Sequence, residues 1–122
     1  MYPKKAVCLL VNSFCLLSVS LNNVANQDGS IDHAEVDRVL NISQDVGYGE
    51  YLAGECASCH SATVAAGSNV PVISGAGADF LVRALLEYRA GVRENTTMRS
   101  VAGALGDEEI AVLAHYLALQ NP

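Results

Sequence analysis

The sequence predicts an all-α domain of three to four helices. Two segments carry apolar residues at the spacing of one helix face, the first within 80–90 and the second within 107–119. Before and between these segments, glycine, proline, serine and asparagine gather in stretches typical of loops. After residue 45, the chain lacks the alternation of apolar and polar residues that marks a strand. A length of 122 residues suits one domain.

The first 25 residues are typical of an export signal. Two lysines within the first five residues precede a mostly apolar run over 6–21, and a short polar stretch follows. The run is shorter and more mixed than the roughly 20 apolar residues of a membrane-spanning helix. We expect cleavage after residue 25, which would remove Cys8 and Cys15 and leave a protein without stable membrane insertion. An uncleaved N-terminal anchor is the alternative.

Charge restricts the partners of the mature chain. Five arginines and no lysine then oppose 13 acidic residues, which gives a net charge of −8. Nucleic acid is excluded as a partner because phosphate contacts need basic side chains. We expect redox protein partners with a basic docking face and binding that weakens with salt. The alternative is that the charge only keeps the protein soluble.

Residues 26–46 are polar and acidic, and we expect a solvated N-terminal extension there. A short helix is predicted over 32–40, and His33 is expected on its surface. The stretch from Asp28 resembles the second half of a calcium-binding loop, but the first ligand position would fall on Val24, which cannot coordinate. The domain proper is expected over 47–122.

Within that domain, the first helix is predicted over 48–56, with Leu52 on its apolar side. Residues 61–77 have the composition of a loop. The next helix is predicted over 80–90, and Gly91 stands where a helix-ending glycine belongs.

The later helices have their own starting signals. Asp79 can cap the helix over 80–90, and a second loop over 92–97 leads to a short helical turn after Met98. The last helix is predicted to begin near Asp107, because the acidic residues there suit the positive end of the helix dipole.

The strongest chemical motif is Cys56-Ala57-Ser58-Cys59-His60. C-x-x-C-H is the attachment signature of a c-type haem, in which both thiols bind the porphyrin and the histidine binds the iron. Two cysteines three residues apart share one helix face and can meet one porphyrin edge. A zinc site or a redox dithiol is the alternative, but zinc would need two further ligands at short spacing, and a dithiol of the thioredoxin type would need a βαβ pattern. We expect one covalent haem c.

The second axial ligand is predicted to be Met98, the only methionine after signal removal. A lone methionine usually packs in a core. The residues beside Met98 are polar, which favours a ligand loop. His115 and His33 are the rivals. Ligation by His60 and Met98 would fill both axial positions and raise the reduction potential.

From about residue 47 to its end, the chain resembles the class I c-type cytochromes. Residues 49–55 resemble the helix that leads into the haem motif, and Pro71-Val72-Ile73-Ser74-Gly75 resembles the P-x-[LI]-x-G loop of the family. The resemblance implies that the Pro71 carbonyl accepts a hydrogen bond from the His60 ring and that 93–99 delivers the methionine ligand. It also implies that the last helix crosses the first near Gly49 and Tyr116. Ser61 departs from the glycine common in relatives, and the loop before Pro71 is short.

The resemblance implies a function in electron transfer without catalytic residues. The expected protein is a periplasmic one-electron carrier between a redox enzyme and a respiratory or photosynthetic chain. The stretch from Phe80 to Met98 is similar to the cytochrome subunit of flavocytochrome c sulfide dehydrogenases, so a non-catalytic haem subunit with a flavoprotein or molybdenum dehydrogenase partner is the alternative. A haem sensor or enzyme with a labile distal site is a third possibility.

Overall fold

The fold of the protein is described by a computed structural model, which covers residues 30–42 and 45–122. The predicted export signal over 1–25 lies outside these residues. Within them, the chain forms helices and no strand, which confirms the predicted all-α fold. Six helical segments are present rather than three to four: α1 (His33–Leu40), α2 (Val46–His60), α3 (Ala62–Ala65), α4 (Ala78–Ala90), α5 (Thr96–Gly103) and α6 (Asp107–Ala118). None of these helices has the length and apolar character needed to cross a bilayer.

The core is built mainly by α4 and α6. Both apolar stripes predicted from helical spacing are buried, and α2 adds Ala53 while α5 adds Ala102. The stripes of α4 and α6 supply eight of the buried residues: Leu81, Val82, Leu85, Leu86, Ile110, Leu113, Ala114 and Leu117. Most of the apolar side chains that exclude water therefore come from two helices, and α2 packs across α6 with small residues.

The crossing of α2 and α6 depends on Gly49. A Cβ atom built at this position would lie 2.7 Å from the Val112 carbonyl oxygen and 2.8 Å from the Tyr116 Cβ. Only a residue without a side chain permits so close an approach of the two helix backbones. The predicted crossing near Gly49 and Tyr116 is confirmed.

Helix α1 confirms the short helix predicted over 32–40 and shows that this part of the expected extension is not wholly solvated. Val36 and Val39 are buried, and both belong to the same core as α4 and α6. The two valines lie three residues apart, so they share one face of the helix. The Arg83 guanidinium also donates to the Ile31 carbonyl at 2.7 Å, which ties the start of this segment to α4. The stretch is mostly polar, so its one narrow apolar face was not recognised from the sequence.

A charged network joins α1, α4 and α6. The Asp107 carboxylate accepts from Arg38 and from Arg89, each at 2.7 Å. These two bonds lower the pKa of Asp107, the bond from Arg89 being the larger cause. Arg89 and Asp107 are about 70% covered, whereas Arg38 is more exposed, so the bond within the α4–α6 pair is the better shielded one.

Several helix ends differ from the predictions. Gly77 precedes α4, and Asp79 lies inside the first turn without capping it. Gly91 ends α4 with φ 76°, a left-handed conformation that glycine adopts at little cost. Helix α5 is longer than the predicted turn and includes Met98. Helix α3 is one turn inside the loop predicted over 61–77.

Candidate haem site

The haem-attachment motif forms the last turn of α2. Cys56 is half-buried and packs against the core, Cys59 is exposed, and His60 is the final residue of the helix. Because the two cysteines are three residues apart on an α-helix, they lie on neighbouring positions of one face. The helix therefore presents both thiols and the imidazole together, at the end where α2 leaves the core.

The Cys56 thiol is shielded from water. Its sulfur lies 3.7 Å from the carbonyl oxygen of Leu52, one turn earlier. Burial, and to a smaller extent the charge of Glu55, raises the pKa of this thiol. Redox dithiols depend instead on a lowered thiol pKa. For Cys56 the shift of the pKa is in the opposite direction.

His60 is oriented by the loop that follows α3. Its Nδ1 lies 2.7 Å from the Pro71 carbonyl oxygen. In the tautomer in which Nδ1 donates this bond, Nε2 keeps its lone pair and could bind a metal. The bond joins the end of α2 to a loop eleven residues further along the chain, so it fixes both the ring and the loop.

An open cleft of about 240 Å³ adjoins His60. On the α2 side its wall consists of Ala53 and Ala57, two small residues one turn apart. Val72 and Leu117 contribute apolar surface from the loop and from α6. These groups form an apolar wall next to the His60 side chain, of the kind against which an apolar cofactor can pack. Sequence reasoning missed these alanines, because the cleft that they line is completed by α6 and by a loop elsewhere in the chain.

Met98 lies in the first turn of α5. It is half-buried, it packs against the core, and its backbone N–H donates to the Asn95 side chain at 2.9 Å. The cleft beside His60 is not lined by Met98, Cys56 or Cys59. The structure therefore places Met98 on a separate helix and does not bring it to the wall of this cleft.

The two other histidines in the described residues each form a contact between α1 and a neighbouring helix. His115 Nε2 lies 3.0 Å from the Leu40 carbonyl oxygen, and His33 Nδ1 lies 3.1 Å from the Arg83 guanidinium. Each contact links α1 to α6 or to α4. Both side chains are thus accounted for by helix packing.

Two curated proteins are similar to this chain. The cytochrome subunit of sulfide dehydrogenase from Chlorobaculum tepidum is 34% identical over 68 residues, which are 56% of this chain and 62% of that protein. The thiosulfate dehydrogenase electron acceptor from Stutzerimonas stutzeri is 37% identical over 70 residues, which are 55% of this chain and 32% of that protein. The chain matches no family model.

The matched region spans less than two thirds of each relative. Both relatives are electron-transfer components by name and not catalysts, and the name cytochrome implies a haem cofactor. The sequence-based resemblance to cytochrome subunits of sulfide dehydrogenases is confirmed by the first of them. The attachment motif, the all-helical fold and these two relatives together support a c-type cytochrome.

Proposed function

We propose that this protein is a periplasmic one-electron carrier with a single covalent haem c. The observation that carries the proposal is the motif at the end of α2, where His60 is held by the Pro71 carbonyl beside a cleft of small and apolar side chains. A haem bound there would supply one-electron exchange between ferric and ferrous iron. Binding, orientation and exclusion of water are tasks of the polypeptide.

The residues at the site have separate tasks in this proposal. Cys56 and Cys59 would tether the porphyrin through two thioether bonds, and His60 would bind the iron. Pro71 holds the His60 ring in one orientation and increases its basicity through the hydrogen bond at Nδ1. Met98, carried by α5, would be the second iron ligand from the protein.

This ligand set favours a carrier over an enzyme. A haem iron held by both His60 and Met98 would have no open position for a substrate or a gas. A sensor or enzyme with a labile distal site remains the rival function. We assign no catalytic residue.

Methionine ligation is tested with the purified holoprotein. The oxidised form should have the weak far-red charge-transfer band of a methionine–iron bond, and the reduced form should bind carbon monoxide slowly. Met98→Ala should abolish the band and speed carbon monoxide binding. Val101→Ala, an exposed position on the same helix, is the matched control and should leave both unchanged. Fast binding in the wild type that Met98→Ala leaves unchanged would favour the rival function.

The relatives suggest the partner class. Since they serve a sulfide dehydrogenase and a thiosulfate dehydrogenase by name, we propose that this chain transfers electrons for a dehydrogenase of sulfur compounds, either a flavoprotein or a molybdenum enzyme. Its acidic charge favours a basic docking face on that partner. Export through residues 1–25 would place this chain in the periplasm.

The partner is tested by purification of the native protein at low salt and again at high salt. Recovery of a dehydrogenase at low salt, and its loss at high salt, is the expected result. A complex that resists high salt would contradict electrostatic docking and indicate a permanent subunit. Recovery of the haem protein alone at both salt concentrations would favour a free carrier.

A further inference from the structure

Helix α5 is attached to the end of α4 through one arginine. The Arg89 guanidinium donates to the Leu105 carbonyl at 3.2 Å and to the Asp107 carboxylate at 2.7 Å. Leu105 follows α5, and Asp107 is the first residue of α6. Two nitrogens of a single side chain therefore hold both sides of the turn that joins these helices.

The two acceptors suit the shape of an arginine side chain. A planar guanidinium presents its donors in a fixed fork, so it can bind a carbonyl and a carboxylate at the same time. A lysine carries one ammonium group and cannot reproduce this pair of bonds. Arg89 is also largely covered, which reduces screening by salt.

Three further contacts fix α5. Its first turn is capped by Asn95, whose side chain accepts from the Met98 N–H. Arg99 lies over Gly91, where an added Cβ would be 3.0 Å from the guanidinium carbon. Ala102 is fully buried against the core. Since α5 has only two turns, the position of Met98 follows from the position of the whole helix.

We propose that Arg89 is a positioning residue for the iron ligand Met98. It does not touch the ligand, but it fixes the C-terminal end of α5 and so limits how far Met98 can move from the haem. This inference rests on the proposed ligation by Met98. Loss of the two bonds from Arg89 should let α5 move away from α4. The methionine–iron bond should then open more often, while the remaining helices stay folded.

Three variants of the holoprotein separate positioning from general stability. Arg89→Gln removes both bonds, and Arg89→Lys keeps the charge without the fork. Arg38→Gln is the matched control, because Arg38 binds the other oxygen of Asp107 but makes no recorded bond to Leu105. The measurements are the far-red methionine band, the rate of carbon monoxide binding to the reduced form, and helix content by circular dichroism.

Arg89→Gln should weaken the band and speed carbon monoxide binding about tenfold, the change produced by about 1.4 kcal/mol in the opening equilibrium. Arg89→Lys should show much of the same effect, and Arg38→Gln should resemble the wild type. If Arg89→Gln fails to fold, the comparison of Arg89→Lys with Arg38→Gln tests the positioning role instead. Wild-type behaviour in both Arg89 variants, or equal effects in Arg38→Gln, would overturn the positioning role. A wild type without the band would instead overturn Met98 ligation.

Discussion

The two halves of α2 lie in opposite surroundings. In the first half, Gly49 and Ala53 are buried and Gly49 touches the backbone of α6. In the second half, Ala57 and Cys59 are exposed, and the helix borders an open cleft. The first half thus packs two small residues into the protein, whereas the second half carries the exposed Cys59 beside the half-buried Cys56. Under the proposed function, a haem would cover the second half of the helix.

Two glycines of α2 show the same contrast between packed and open surroundings. At Gly49 an added Cβ would strike α6, while at Gly54 it would meet nothing within 4 Å. The two positions lie in one helix, five residues apart, and differ only in what faces them. Alanine substitutions at the two positions therefore measure how far the packing of the first half of α2 against α6 can adjust.

Removal of the tethers should have the largest effect. Cys56→Ala with Cys59→Ala should yield a protein without covalent haem, less stable by several kcal/mol because a ligand that binds only the folded state is lost. Hydrogen exchange should increase most in the second half of α2 and in the loop around Pro71. Ser58→Ala, at an exposed position inside the motif, is the control and should keep its haem. An equal increase of hydrogen exchange in both halves of α2 would contradict the proposed difference between them.

Gly49→Ala should destabilise the protein by up to about 2 kcal/mol, because forced overpacking against backbone outweighs the helix propensity of about 1 kcal/mol that alanine gains over glycine. Gly54→Ala should instead stabilise by up to about 1 kcal/mol. Chemical denaturation of the two holoproteins gives both values. A Gly49→Ala variant as stable as the wild type would show that the crossing of α2 and α6 can widen freely.

Asp107→Asn should cost about 1–2 kcal/mol at neutral pH, because the carboxylate accepts charged hydrogen bonds from Arg38 and Arg89 in a partly screened position. The pKa of Asp107 is lowered in the folded state, so its contribution is complete above the usual aspartate pKa and is lost as pH falls through the lowered value. Stability curves of wild type and variant should therefore converge in acid. Parallel curves down to low pH would exclude this linkage.

Removal of the side-chain cap at the start of α2 should have the smallest effect on stability. The Asp45 side chain accepts from the Tyr48 N–H at 3.0 Å, and Asp45→Ala should cost about 1 kcal/mol. Haem spectra should not change, since this cap lies at the core end of the helix. Thermal unfolding measures the loss, and Asp45→Asn, which retains a capping oxygen, should recover most of it. A changed haem spectrum in Asp45→Ala would show that the two halves of α2 are coupled.

Periodicity and glycine chemistry predicted most of the fold. The stripes of α4 and α6 were visible because their apolar residues recur at helical spacing, and Gly91 marked the end of α4. Helix α1 was predicted, but its burial was missed because two valines in a polar stretch give a weak pattern. Its burial depends on partners far along the chain, among them Arg83 and His115.

The candidate site was predictable in its chemistry more than in its surroundings. The motif itself named Cys56, Cys59 and His60, since ligand chemistry fixes residue type and spacing. The cleft beside His60 is assembled by α2, α6 and the loop before α4, so no local pattern could reveal it. Met98 was expected before a helical turn and lies within α5, because Asn95 starts that helix earlier.

The intact mass of the exported, purified protein tests the central claim most directly. We predict the mass of residues 26–122 plus one haem, retained under denaturing conditions because two thioether bonds hold it. A colourless product with the mass of the bare polypeptide would contradict covalent haem attachment and, with it, the proposed electron-transfer function.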